Sequence, residues 1–171
     1  MKKIILLVSF ALMSLIIFSQ TENKTKLPSV NLKTLDGKTF NTNDIDNAGN
    51  PIVISFWATW CKPCISELNT IKDEYEEWQE ETGVKIIAVS TDDSRSSKMV
   101  GPRVNGFGWE YDILLDQNQD LKKALNVNEI PHVFLLDGDK NIVWQHKGYT
   151  SGDEEELYEA IKKLSKGEPL K

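Results

Sequence analysis

The sequence predicts an α/β domain in which helices cover both faces of a mixed β-sheet. Residues 52–56 (IVISF) form a run rich in β-branched apolar residues, and residues 84–89 (VKIIAV) are apolar except for Lys85, a pattern typical of buried central strands. A long helical pattern lies between them, and a hairpin followed by a helix ends the domain. The order β-α-β-α-β, then hairpin, then helix favours a mixed sheet layered between helices.

The first half of the domain is predicted to begin with a hairpin and to continue into the longest helix. Residues 30–34 and 39–40 flank an Asp36-Gly37 turn, and Asp-Gly is a strong hairpin signal. After the first buried strand, apolar residues recur every three or four positions to about residue 81, as on one face of a helix. Gly83 suits the end of this helix.

The second half is predicted to alternate short helices and strands. Gly101-Pro102 is expected to interrupt the first of these helices, because proline breaks a helix interior. The predicted elements are a helix at 94–104, a strand at 111–115, a helix at 120–125, a hairpin of strands at 133–136 and 142–146, and a final helix at 153–164.

The N-terminus has the pattern of a secretory signal peptide. Lys2 and Lys3 precede an apolar run at 4–18, and Ser19 follows it, which predicts export with cleavage after Ser19. The alternative is an uncleaved anchor, although a helix of this length rises only about 22 Å against roughly 30 Å of hydrocarbon. We therefore predict a signal peptide or anchor at 1–19, a disordered lead-in at 20–26, one domain at 27–166 and a frayed tail at 167–171.

The charge balance excludes a nucleic-acid-binding protein. The net charge is −6, and removal of residues 1–19 takes away two lysines and no acidic residue, which leaves −8. Domains that bind nucleic acids are basic. The remaining chain of about 150 residues is the usual size of one domain.

The chain has two cysteines, Cys61 and Cys64, in a C-x-x-C spacing. A disulfide across two intervening residues restrains little of the unfolded chain, so a purely structural bridge explains them poorly. A zinc site takes four ligands, and besides the pair the chain offers only His132 and His146. We therefore expect redox chemistry at the pair, with neither a metal nor another cofactor.

The position of Cys61 favours its thiolate form. It follows a buried strand and begins a helix, where orphan backbone N–H groups and the positive helix end attract negative charge. Lys62 adds a positive charge, and Pro63 fits the first helical turn. Only a thiolate attacks a disulfide, so Cys61 is the candidate exposed nucleophile. Cys64, one turn later, is the candidate buried resolving cysteine.

Residues 56–64, with the sequence FWATWCKPC, resemble the active-site segment of the thioredoxin superfamily. Pro131, about 70 residues after the motif and just before a strand, matches the cis-proline of that family. With its N-terminal hairpin and an insertion at about 91–125, the chain is similar to exported reductases of the TlpA/ResA-like branch. The resemblance implies a thioredoxin-like three-layer fold over 27–166, with a mixed central sheet flanked by helices.

The resemblance also assigns roles to residues around the pair. Pro131 is expected to follow a cis peptide bond, and the backbone of Ile130 is expected to pair with a substrate strand. Trp60 is expected to form part of an apolar collar around Cys61 where a partner docks. For Trp57, a place in the core is an equal alternative.

Titratable side chains near the pair are candidates for tuning the thiols. ResA-like reductases carry a glutamate at the spacing of Glu67, where it influences thiol ionisation and proton transfer; the alternative is a solvated acid. A carboxylate there would raise the thiol pKa by repulsion and titrate together with the thiols. Cytoplasmic thioredoxins have a buried aspartate where this chain has Ser55, which leaves Glu67 as the substitute. For His132, tuning competes with simple packing, and His146 is expected to be structural.

The resemblance implies a periplasmic thiol–disulfide oxidoreductase, soluble after cleavage or anchored to the inner membrane. Its dithiol would reduce disulfides of exported proteins such as apocytochrome c, for example in cytochrome c maturation. A membrane electron donor of the DsbD/CcdA type would then reduce the protein again. We expect a monomer.

Three alternatives remain open from the sequence. A disulfide-donating oxidase needs a strongly stabilised thiolate, which Lys62 and Pro63 do not exclude and Glu67 disfavours. A thiol peroxidase would need a P-x-x-x-T-x-x-C frame, whereas Thr59 stands two residues before Cys61 and no proline stands where the frame requires one. A non-catalytic binding module would commonly lose one or both cysteines, and this chain keeps both.

Overall fold

The computed structural model describes residues 25–170. The strands are β1 (Asn31–Thr34), β2 (Thr39–Asn41), β3 (Ile52–Trp57), β4 (Lys85–Ser90), β5 (Asp112–Leu115), β6 (His132–Leu136) and β7 (Ile142–Lys147). The α-helices are α1 (Lys62–Thr82), α2 (Val100–Phe107), α3 (Asp120–Ala124) and α4 (Asp153–Ser165). Short 3₁₀ helices occupy Thr42–Asp44 and Ser96–Met99. The predicted strands and helices are confirmed, apart from the predicted helix at 94–104.

The strands form one mixed sheet in the order β2-β1-β5-β4-β3-β6-β7. β3, β4 and β5 run parallel, whereas β6 pairs antiparallel with β3 and β7 pairs antiparallel with β6. On the other side, β1 joins β5 antiparallel and carries β2 at the edge. Ser55 pairs with Ala88 on one side and with Val133 on the other, so β3 lies between two strands.

Two apolar layers lie on opposite faces of this sheet. Alternate residues of β3 separate between them: Val53 and Trp57 belong to the first layer, and Ile54 and Phe56 to the second. Helices α1, α2 and α4 cover the first layer, while α3 and segments before β3 cover the second. Burial on both faces explains why every residue of β3 except Ser55 is apolar. The predicted layered α/β fold is therefore confirmed.

Helix α1 begins and ends as the sequence predicts. Cys61 is its N-cap residue, and Pro63 lies in the first turn, where a missing N–H removes no helical bond. Gly83 ends the helix with a φ of 67°, and its N–H donates to the Gln79 carbonyl at 2.8 Å. This left-handed backbone conformation favours glycine, since it has no Cβ.

The segment at 91–125, predicted as an insertion, adds β5 to the sheet between β4 and β1. The predicted interruption of its helix by Gly101-Pro102 is wrong. Both residues lie in the first turn of α2, where N–H groups have no partner within the helix and proline is tolerated. The helix ends instead at Gly108, which has a φ of 68°.

The predicted disordered lead-in at 20–26 joins the sheet at its last two residues. The Ile142 N–H donates to the Thr25 carbonyl at 2.8 Å, and Lys26 forms a bridge with Asn141. These backbone pairs extend the ordered chain by two residues beyond the predicted boundary. The predicted signal segment at 1–19 lies outside the described residues. Between residues 25 and 170, no helix is long and apolar enough to cross a membrane.

The tail predicted to fray begins instead as the closing turn of α4. The Gly167 N–H donates to the Leu164 carbonyl at 3.0 Å, and the Glu168 N–H donates to the Lys163 carbonyl at 2.8 Å. Gly167 has a φ of 69°. This arrangement satisfies carbonyls that a helix end leaves without partners, which explains the order of these residues.

Candidate functional site

The redox pair lies where β3 ends and α1 begins. Cys61 and Cys64 form a disulfide bond, and Cys64 is fully buried. The prediction of an exposed Cys61 is wrong for this oxidised state, because Cys61 is only 4% exposed. The Ile130 carbonyl lies against its sulfur. Cys61 is nevertheless the more accessible member of the pair.

Two backbone groups contact the Cys61 sulfur. The Cys64 N–H donates to it at 3.3 Å, and the Ile130 carbonyl oxygen lies 3.8 Å from it. The peptide bond between Ile130 and Pro131 is cis, as predicted. A donor aimed at the sulfur favours the thiolate once the disulfide opens.

The two tryptophans of the motif lie in different surroundings. Trp57 is fully buried and packs edge-to-face on Trp109, with ring centroids 4.8 Å apart. Trp60 is 69% exposed, directly before the redox pair. Lys62 and Pro63 are also exposed, at the start of α1. The structure therefore places Trp57 in the core and Trp60 on the surface beside the sulfurs.

Glu67 is buried, which excludes the alternative of a solvated acid. The residue is 4% exposed, and the Ser55 hydroxyl donates to its Oε2 at 3.1 Å. Burial raises the pKa of the Glu67 carboxyl to about 8; the Ser55 hydrogen bond lowers it, and the charges of Asp153 and Glu154 raise it. A carboxyl group with this pKa holds its proton at neutral pH.

Glu67 shares a helix face with the buried cysteine. Residues three apart on an α-helix are neighbours, with about 5–6 Å between their Cβ atoms, and Cys64 and Glu67 are both buried residues of α1. Ser55 reaches the same place from β3, because its side chain points to the face that α1 covers. Ser55, which stands where cytoplasmic thioredoxins have an aspartate, therefore contacts the proposed substitute for that aspartate, a hydrogen bond that the sequence did not predict.

His132 is buried on the opposite face of the sheet. It pairs across the strands with Phe56, stacks on Phe134 with ring centroids 4.3 Å apart, and has Nε2 3.1 Å from Gln145 Oε1. Burial lowers the pKa of His132, which favours the neutral ring. The sheet separates this ring from Glu67, so the structure favours packing as the role of His132.

His146 Nε2 lies 3.3 Å from Asp153 Oδ2, near the start of α4. In the part of the chain that the structure describes, no three His, Cys, Asp or Glu side chains cluster as a metal site requires.

A second buried acid near the pair was missed by the sequence reasoning. Asp92 is 1% exposed, and its carboxylate accepts hydrogen bonds from the Thr59 N–H at 2.8 Å, the Thr59 hydroxyl at 2.7 Å and the Ser90 hydroxyl at 2.9 Å. β3 and β4 run parallel, so their carboxyl ends meet at one edge of the sheet. The sequence feature that could have identified Asp92 is the position of an acidic residue two places after a buried strand.

Comparisons with known proteins agree with this geometry. Residues 24–145 match the AhpC/TSA family. The thiol-disulfide oxidoreductase ResA of Bacillus anthracis is 30% identical over 138 residues, which cover 81% of this chain and 76% of that protein. ResA of Bacillus subtilis (strain 168) is 27% identical over 116 residues, 68% of this chain and 62% of that protein.

Solved structures share the fold. An uncharacterized thioredoxin-like protein from Porphyromonas gingivalis is 50% identical, with a TM-score of 0.74 over 84% of this chain and 95% of that one. A putative thiol:disulfide interchange protein DsbE from Chlorobium tepidum superposes with a TM-score of 0.68 over 83% of this chain and 96% of its own, at 23% identity. The latter likeness shows the fold alone. With a C-x-x-C pair at the start of α1 and a cis-proline beside it, the chain belongs to the AhpC/TSA family and is a thiol–disulfide oxidoreductase of the ResA type.

Proposed function

We propose that this protein reduces disulfides of exported proteins in the periplasm, either soluble after signal cleavage or anchored to the inner membrane. The basic and apolar pattern of residues 1–19 supports export. Apocytochrome c and other misoxidised exported proteins are the proposed substrates, with a place in cytochrome c maturation. A membrane protein of the DsbD/CcdA type is the proposed electron donor. The substrates and the donor rest on the resemblance to ResA-like reductases.

The observation that carries the proposal is the burial of Glu67 one helical turn after Cys64. The Glu67 pKa of about 8 is close to the pKa of a free thiol, about 8.5. Proton transfer between groups of similar pKa costs little free energy. Glu67 is therefore suited to take the proton of the Cys64 thiol near neutral pH and to return it later.

The proposed reaction has two exchange steps. The Cys61 thiolate attacks one sulfur of the substrate disulfide; that S–S bond breaks, a Cys61–substrate disulfide forms, and the released substrate sulfur takes a proton. The ionised fraction of Glu67, which is the minor form below its pKa of about 8, then accepts the proton of the Cys64 thiol. The Cys64 thiolate attacks the Cys61 sulfur, which breaks the mixed disulfide; the second substrate sulfur leaves as a thiolate and takes the proton from Glu67. The substrate gains two electrons and two protons, which the external donor must replace.

Other residues of the site have proposed roles in the same cycle. The Ile130 carbonyl lies 3.8 Å from the Cys61 sulfur, which supports pairing of a substrate main chain with this backbone beside Pro131. Trp60 is exposed next to the pair and is the proposed apolar contact for the substrate. Lys62 and the helix start lower the free energy of the Cys61 thiolate.

The acid beside Cys64 supports the proposed direction of electron flow, from this protein to the substrate. A disulfide-donating oxidase stabilises its reduced form as a thiolate. Glu67 opposes this, because its carboxylate repels a thiolate. A dithiol that is not stabilised in this way gives up its electrons readily, as a reductase must.

The reduction potential of the Cys61–Cys64 couple tests the proposal. The protein is equilibrated in thiol buffers of known potential, and the fraction of disulfide is measured by trapping free thiols. A value of about −250 mV or lower is expected for a reductase, because thioredoxin lies near −270 mV. A value above about −150 mV, close to that of the oxidant DsbA, would make the protein a disulfide donor. Insulin reduction by the reduced protein, compared with Cys61→Ser, provides the matched activity control.

A further inference from the structure

Hydrogen bonds join the loop before the redox pair to the residues that follow β4. The Asp92 carboxylate accepts the N–H and the hydroxyl of Thr59 together with the hydroxyl of Ser90. Next to it, the N–H and the hydroxyl of Thr91 donate to the Trp57 carbonyl, at 2.8 and 3.2 Å. The connection between β3 and β4 thus continues past the last paired residues of the two strands.

Within residues 25–170, Asp92 is a buried acid that takes part in no salt bridge. Burial of a carboxylate is unfavourable unless its oxygens accept hydrogen bonds. Two of its three donors belong to Thr59, in the loop that leads to the redox pair, and the third belongs to Ser90. The contacts therefore concentrate on the redox loop.

We infer that Asp92 is a positioning residue of the redox site, because its hold on Thr59 fixes the turn that carries Cys61. The Cys61 N–H donates to the Ala58 carbonyl at 3.0 Å, so Thr59 lies inside this turn. The same turn sets the Cys61 sulfur beside the Ile130 carbonyl. The inference rests on the thiol–disulfide activity and not on the proposed direction of electron flow.

The size of the effect follows from the geometry of the reaction. A thiolate must approach the disulfide in line with the bond that breaks, and a misplacement of about 1 Å can cost about 100-fold in rate. Loss of the Thr59 hydroxyl leaves the hydrogen bond from the Thr59 N–H to Asp92 in place, so the loop keeps one of its two hydrogen bonds to this carboxylate. A loss of about tenfold is therefore expected from this single change.

A matched pair of variants tests the inference. Thr59→Val and Thr91→Val each remove one hydroxyl that joins the ends of β3 and β4, but only the Thr59 hydroxyl donates to Asp92. The reduced protein, expressed from the full chain, reacts with oxidised glutathione in a single turnover, and the melting temperature is measured in parallel. Thr59→Val is expected to react about tenfold more slowly and Thr91→Val within about twofold of the unmodified protein. Thr59→Ser, which keeps the hydroxyl, is expected to restore the rate.

A purely structural role for Asp92 predicts a different result. The two variants would then lose melting temperature to a similar extent and would react at equal rates, which would overturn the inference. A Thr59→Ser protein as slow as Thr59→Val would overturn it as well. The exchange rate with oxidised glutathione is informative for a reductase and for an oxidase, so a failure here is distinct from a failure of the proposed function.

Discussion

Two buried carboxyl groups flank the redox pair, and their surroundings differ. Among the described residues, Glu67 accepts one side-chain hydrogen bond, from Ser55, and burial raises its pKa to about 8. Asp92 accepts three hydrogen bonds, two of them from Thr59. The first acid is placed to hold and exchange a proton, and the second to hold a loop. The number of donors around a buried acid thus indicates which task it suits.

The two acids also act on different cysteines. Glu67 follows Cys64 by one turn of α1, beside the sulfur that the proposed cycle deprotonates last. Asp92 contacts the loop two residues before Cys61, the proposed nucleophile. Glu67 is therefore proposed to accept the proton of Cys64, and Asp92 is proposed to position the attacking sulfur of Cys61.

The largest expected effect comes from replacing each of the two cysteines in turn. Cys61→Ser is expected to reduce disulfide exchange to the uncatalysed rate, because the nucleophile is lost and the remaining Cys64 is buried. Cys64→Ser is expected to stop after the first step, since the mixed disulfide has no resolving thiol. Mass spectrometry of the trapped complex locates the substrate on one cysteine. Accumulation of the substrate on Cys64 would reverse the assignment and break the pairing of Glu67 with the resolving cysteine.

Glu67→Gln is expected to remove a large pH dependence of stability. The carboxyl pKa is about 8 in the folded protein and 4.5 in an unperturbed chain, so the folded state binds the proton more tightly. Stability is therefore expected to fall as pH rises from about 4.5 to 8, by at most about 5 kcal/mol. Denaturant unfolding of the oxidised protein at pH 5, 6.5 and 8 measures this fall, which should be much smaller in the glutamine variant.

Ser55→Ala serves as the control for that measurement. The Ser55 hydrogen bond lowers the Glu67 pKa, so its loss should extend the fall in stability to higher pH. If the free energy of unfolding fell equally with pH in the unmodified protein and in Glu67→Gln, the Glu67 carboxyl would not titrate with a raised pKa. The proposed difference between the roles of Glu67 and Asp92 would then be wrong.

The same glutamine variant should slow the resolving step of the reaction. A positioned proton acceptor contributes about 10²- to 10⁴-fold, and we expect the low end of this range because a thiol also ionises without help. Stopped-flow measurements between pH 6 and 9 should show a rate increase that saturates above about pH 8 in the unmodified protein, and not in the variant. The first exchange step, which uses Cys61, provides the internal control. A slower first step with an unchanged second step would contradict the account.

Trp60→Ala is expected to have the smallest effect. The exposed indole makes no contribution to the core, so stability should change by no more than about 0.5 kcal/mol. Reduction of insulin should slow by about threefold through the loss of an apolar contact, while reduction of oxidised glutathione should not change. Trp57→Ala, in the core, should lose about 3–5 kcal/mol of stability instead. An equal slowing with both substrates would argue against a docking role for Trp60.

Much of the fold could be predicted from the sequence, because the signals are local. The mainly apolar sequence of β3 and the apolar stripe of α1 each indicate burial directly. Gly101-Pro102 misled the prediction because proline is excluded from a helix interior but not from its first turn. The ordered ends, at Lys26 and Gly167, depend on backbone pairing that composition does not indicate.

The site could be predicted only in part, for a physical reason. The motif and Pro131 mark the redox pair, and the spacing places Glu67 one turn from Cys64. The surroundings that decide what an acid does are made by distant residues: Thr59 and Asp92 are separated by 33 positions. Sequence patterns report which side chains are buried, but not which donors face them.

The most direct test of the central claim is a titration of the Glu67 carboxyl itself. The side-chain carboxyl ¹³C signal is followed by NMR in the oxidised protein, where the cysteines do not titrate, and Glu67→Gln identifies the signal. A midpoint at about pH 8 is expected. A midpoint near the ordinary value of 4.5 would mean that Glu67 is ionised at neutral pH, which would contradict its role as the proton carrier of the redox pair.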